Sequence, residues 1–189
     1  PSGNEQRATN NEQRFPIDIA VCDFDFIDEQ GNVIPPTQGI PGEFYGEWLQ
    51  RPHVRSGLLE FLVHACLGTS WTTVTALLFR RSVLSRAGLF RTDASRPGEA
   101  FADRLWAMKT ALVSDTVFVP GKLASWRHHP GQATAVERSG WRKRNMKMTD
   151  ETIEESLDLV PVVWREDPRW MERLLWGARQ YYLEEFHLD

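Results

Sequence analysis

Cysteine is scarce: Cys22 and Cys66 are the only two in 189 residues. A disulfide framework is therefore not expected, and a reducing, cytoplasmic setting is the expectation. Long hydrophobic runs are missing as well, none approaching the roughly 18 apolar residues of a membrane-spanning helix. The opening PSGNEQRATNNEQRF has no apolar core of the signal-peptide kind, so no targeting segment is assigned. Nor is there a basic excess, since 22 Lys and Arg against 26 Asp and Glu leave a formal charge of -4. Nucleic acid, which attracts the opposite sign, is not expected as a partner. HExxH, paired Cys-X-X-Cys, a Gly-rich P-loop and GxSxG are all absent, which leaves zinc protease, P-loop NTPase and α/β-hydrolase readings without their motifs.

What is present is an ordinary globular composition. Hydrophobic residues make up 41% and charged residues 25%, with Gly 13 and Pro 11 near usual levels, so disordered and collagenous classes are ruled out for the bulk of the chain. The length suits one domain, or one with a small appendage.

Residues 1–15 are amide-rich and without period, and read as a flexible lead-in. From Ile17 to Ile27, IDIAVCDFDFI predicts a strand, and EQGN a turn in which Gly31 takes a positive φ. Prolines and glycines between 35 and 46 prevent regular structure; Leu58, Leu59, Leu62, Val63 and Cys66 then predict a helix. WTTVTALLF (71–79) reads as a strand, Arg80–Ala87 as a short helix closed by Gly88, and Glu99–Leu112 as an amphipathic helix. TVFV (116–119) and KLASW (122–126) read as two short strands parted by a Pro120-Gly121 turn. The tail has Met171, Leu174, Leu175, Ala178, Tyr182 and Phe186 at helical spacing.

Several groups of residues are candidates for chemistry. Asp23, Asp25 and Asp28 have the hard oxygens a divalent cation prefers, but they run into a turn, which favours a structural role. Asp103 falls at a helix start, flanked by Phe101 and Trp106; it is either a partly desolvated general base or a first-turn dipole partner or ion pair near Arg104 and Lys109. Arg127, His128 and His129 follow a strand, where binding groups collect; a phosphate clamp and a metal ligand stand against a solvated loop edge. RSGWRKRNMK (138–147) is a solvated basic loop or a contact for phosphates or an anionic membrane surface. The aromatic C-terminal helix packs on its own core or docks a partner.

Four segments, in order, resemble the C-terminal half of a family 2 glycosyltransferase of GT-A fold: VCDFDFIDEQGNVI, TALLFRRSVLSRAGLF, FADRLWAMKTAL and VFVPGKLASWRHHPGQAT. The resemblance implies an α/β fold, a partial GT-A-like mixed sheet flanked by helices over residues 16–135, followed by a basic loop and helical tail over 136–189. It implies transfer of a sugar from a nucleotide-diphosphate sugar to a hydroxyl of a glycan or lipid-linked acceptor. By position, Asp103 matches the catalytic base of the family's Glu-Asp motif and His129 a ligand to Mn or Mg, with Arg127 and His128 on the substrate side. Ala102 stands where the family has Glu. The match begins partway through the family's fold, so the nucleotide-binding half is expected to be absent and the chain to be a fragment, a truncated enzyme or a degenerate copy. The alternative expectation is a non-catalytic binding or assembly module on the same half-fold.

Overall fold

IDIAVCDFDFI contains no Gly or Pro, and in the computed structural model it forms one strand, β1 (Ile17–Ile27). The structure describes residues 15–35, 46–67, 74–89, 102–131, 151, 153–170 and 172. A turn over 28–32 leads into β2 (Val33–Ile34), which pairs antiparallel with the end of β1. Asp28 organises that turn: its N–H donates to Asn32 O (2.9 Å), and its carboxylate accepts from Asn32 N (2.7 Å) and Nδ2 (2.8 Å). Gly31 has φ 91°, as expected.

A 3-10 turn (Gly46–Gln50) precedes β3 (His53–Arg55) and helix α1 (Gly57–Leu67). Then come β4 (Leu77–Phe79), α2 (Ser82–Ala87), α3 (Ala102–Ala111) and β5 (Asp115–Arg127). Residues 153–156 are helical, and a short helix α4 (Val162–Arg165) follows. Gly88 ends α2, its N–H bonded to Leu84 O at 3.0 Å.

The sheet runs β2-β1-β5-β3, with β4 joined to β1 on the β2 side. β4 takes Ile19–Val21 and β2 takes Phe26–Ile27, so the two share one edge of β1. β1 and β5 are parallel and the other pairings antiparallel, which makes this a mixed α/β sheet with helices, the class expected.

Two sequence expectations are corrected. Residues 116–126 are one strand, not two: β1 continues alongside as a template, and Pro120, with no N–H for the ladder, is absorbed as a bulge. Val119 faces Cys22, Lys122 faces Asp23 and Ala124 faces Phe24, so Pro120, Gly121 and Leu123 are skipped. Gly121, at φ 108°, supplies the left-handed backbone that brings the chain back into register. Of the expected strand 71–79, the described residues are extended only at Leu77–Phe79, because Val74–Ala76 form a 3-10 turn that leads the chain onto the β1 edge. Residues 71–73 lie outside the described residues.

The described core forms three clusters. Phe61, Ala65, Met108, Ala111, Leu112, Ile153 and Val160 pack α1, α3 and the following helical residues together. Ile19, Val21 and Phe118 on the sheet meet Val83 and Ala87 of α2 and Trp106 of α3. Phe24, Phe26 and Ala76 form the third, with Cys22, Ile34, Ala124 and Trp126 against them. Strand alternation puts Ile19, Val21, Asp23 and Asp25 on one face of β1 and Cys22, Phe24 and Phe26 on the other. The sheet thus buries its α2/α3 side in its first half and the opposite side beyond the bulge.

Buried polar groups knit β1, α1 and β5. Ser114 Oγ accepts from Asp18 N (3.0 Å), and Asp115 N donates to Pro16 O (2.9 Å). The buried Asp115 carboxylate accepts from Gly57 N (2.9 Å), the first residue of α1. Arg55 and Glu60, each side chain 3% exposed, pair at 3.4 Å.

The lead-in through residue 14, the basic cluster 138–147 and the tail beyond 172 lie outside the described residues; 168–170 and 172 are helical. Among the described residues, no helix is long and apolar enough to cross a membrane.

Candidate functional site

Asp103 lies in the first turn of α3. Three residues on, Trp106 is buried against Phe79 (ring centroids 4.8 Å), and its Nε1–H donates to Gly88 O (3.0 Å). These contacts fix the start of α3 over β4 and the end of α2. Residues three apart share a helix side, so Asp103 is on the sheet-facing side with Trp106. It is nevertheless solvent-exposed, not partly desolvated as the flanking aromatics imply; Phe101 lies outside the described residues. Lys109, one of the sequence's candidate partners, bonds Glu155 at 2.8 Å.

α3 leads through a tight turn into β5, so it runs antiparallel to β5 and β1. Eight residues of helix from Ala111 back to Asp103 rise about 12 Å, whereas the ten steps of β1 rise about 33 Å. On that scale Asp103 comes about one third of the way along β1, beside its first half, whereas Asp23 and Asp25 lie in the second half. There Lys122 Nζ donates to Asp25 Oδ1 at 2.6 Å, and Asp23 Oδ1 accepts the N–H of Phe24 at 2.8 Å. The Asp25 hydrogen bond and charge, with Asp23 behind, raise the Lys122 ammonium above its ordinary value.

Arg127, His128 and His129 occupy the far end of β5 beside the β1–β2 turn. Arg127 Nη1 donates to the carbonyls of Asp28 (3.0 Å) and Glu29 (2.7 Å), and His128 N donates to Ile27 O (2.7 Å). His129 is half-buried, its ring against Gly131. The structure thus groups Arg127, His128 and His129 at the tip of β5 and sets Asp103 apart from them on α3. The Asp28 carboxyl is held below its ordinary value by the Asn32 side-chain hydrogen bond.

Asp23, Asp25 and Asp28 have structural partners, as their run into a turn predicts. Lys122 was missed, because reading Pro120-Gly121 as a turn separates it from Asp25. Among the described residues no three His, Cys, Asp or Glu side chains gather where a metal ion could be held, so no step below is routed through a metal. What the arrangement offers chemically is a solvent-facing carboxylate on α3 and, separately, a lysine–aspartate pair on the sheet. No model of a known protein family matches this chain, and no curated protein matches it.

Proposed function

We propose that the chain derives from a family 2-like glycosyltransferase, moving a sugar from a nucleotide-diphosphate sugar to an acceptor hydroxyl with Asp103 as base. The observation that supports this most is that three of the four segments quoted for the resemblance, distant in sequence, supply strands of one mixed sheet, while the remaining one forms α3 with Asp103 exposed at its start. As the acceptor oxygen attacks the anomeric carbon and the carbon–oxygen bond to the diphosphate breaks, the Asp103 carboxylate takes the hydroxyl proton. Arg127 and His128 are assigned to the substrate side. A Mn or Mg ion at His129 belongs to the reading only through the resemblance.

Assays of transfer from UDP- and GDP-sugars, on the protein containing these residues, test the proposal. Asp103→Asn should lower transfer about 10²–10⁴-fold, the usual worth of a general base, with donor binding by calorimetry unchanged. Undiminished turnover overturns the assignment. A second reading, a non-catalytic module on the same scaffold, is favoured by one observation: Arg127 is engaged with the turn carbonyls of Asp28 and Glu29. Under that reading no nucleotide sugar binds, and Asp103→Asn changes nothing.

A further inference from the structure

We propose that His53 is a proton-operated latch holding the edge strand β3 and the start of α1 against β5. Both nitrogens of its half-buried ring are engaged. Nδ1 lies 3.0 Å from Arg51 O, and Nε2 lies 3.1 Å from Arg55 Nε. A carbonyl only accepts and a guanidinium N–H only donates, so the arrangement requires the neutral ring with its proton on Nδ1 and a lone pair on Nε2.

The acceptor role of Nε2 orients the buried Arg55. Its guanidinium lies 5.2 Å over the Phe118 ring of β5 and bonds Glu60 of α1 at 3.4 Å. The His53 ring itself sits 5.2 Å from Phe118 and 5.3 Å from Trp48, edge-on to the latter. One imidazole therefore touches the turn 46–50 and β5 directly, and α1 through Arg55. The surrounding elements carry Glu47 on the turn, Arg51 and Arg55 on its own segment, Glu60 and the buried His64 on α1, and Asp115 on β5, bound to Gly57 N.

Adding a proton to Nε2 replaces its lone pair with an N–H that points at the N–H of Arg55. Two donors, both on cations, then face each other at hydrogen-bond distance, and Arg55 cannot release its own proton. The ring or the guanidinium must withdraw. Either movement loosens a three-residue edge strand whose pairing with β5 is short. Imidazole is the side chain that changes charge in mildly acidic water, so the latch opens as pH falls.

Urea denaturation of the whole chain and of His53→Gln between pH 7.5 and 5.0 tests this, since a glutamine oxygen accepts from Arg55 without titrating. The folding equilibrium constant of the parent should fall several-fold to about tenfold more than that of the variant, the worth of one ordinary hydrogen bond. Protection of the amides of residues 53–60, corrected for the intrinsic pH dependence of exchange, should fall at low pH in the parent alone. Parallel pH profiles overturn the proposal, as does a pH dependence abolished by His64→Gln and retained in His53→Gln. A readout independent of any variant is the imidazole nitrogen NMR spectrum at pH 7.5. It should show the Nδ1–H tautomer; the Nε2–H tautomer overturns the latch.

Discussion

Gly57→Ala should be among the most damaging single-methyl changes this chain admits. Gly57 opens α1 where that helix crosses the turn from α3 to β5, and a Cβ there would run into the carbonyl oxygens of Ala111 and Ser114, with Ala111 C at 3.1 Å. All of these atoms are main chain, so no side-chain rotation relieves the clash. Overpacking a core by a methylene or so costs about 1–3 kcal/mol even when side chains can shift. Backing α1 away also strains the bond from Gly57 N to the buried Asp115 carboxylate, and hydrogen bonds to charged groups contribute about 1.5–3 kcal/mol. Alanine's better helix propensity offsets at most about 1 kcal/mol. The net loss is about 2–5 kcal/mol, a large share of the 5–15 kcal/mol typical of a domain. With a urea slope of about 2 kcal/mol/M, the denaturation midpoint should drop by roughly 1–2.5 M. Asp115→Ala should give part of that loss, and the double variant less than the sum, because both changes break one contact. A Gly57→Ala midpoint equal to the parent's would refute the close-approach argument.

Two further predictions follow from the turn and the bulge. Gly121→Ala forces a Cβ into backbone at φ 108° with open space around it, the nearest atom being Leu123 Cδ2 at 3.9 Å, so the cost is conformational, about 1–3 kcal/mol by denaturation; an unchanged stability would argue that the bulge relaxes freely. The Asp28 carboxyl is held low by Asn32, so the stabilisation of the turn is present above the ordinary carboxyl value of 3.8 and is lost as pH falls through the lower native value. Carbon NMR should find Asp28 titrating below that value in the parent and closer to it in Asn32→Ala; identical titrations in both proteins would refute the Asn32 contribution.

The elements that sequence alone foretold are those set by local signals. β1 has eleven residues without a breaker, the turn at Gly31 has a glycine where φ must be positive, and Val83 and Ala87 place α2 one turn before Gly88. What escaped notice depends on distant partners. β3 is three residues long and exists because Val54 lies opposite Val117. Nothing near Gly57 announces that Ala111 and Ser114 will press on it, and nothing near Asp115 reveals a carboxylate directed at a helix 58 residues earlier. The buried Arg55–Glu60 pair is also a product of the strand-to-helix crossing, since five residues apart is not a spacing that faces on a helix.

The candidate site turns on the same distinction at a single place. Read locally, Pro120-Gly121 is a turn, and a hairpin there would fold 122–126 back along 116–119 and return Arg127, His128 and His129 toward the beginning of the strand. With β1 beside it, the pair is a bulge and β5 keeps going, which carries those three side chains on to the Asp28 turn. The carboxylate of Asp103 was legible because helix periodicity fixed its place in α3. The Lys122–Asp25 pair was not, because Lys122 reaches Asp25 only through a register that skips Pro120, Gly121 and Leu123. One proline–glycine pair thus determines that Lys122 meets Asp25 across the sheet and that Arg127 ends against the carbonyls of the Asp28 turn rather than folding back along β5.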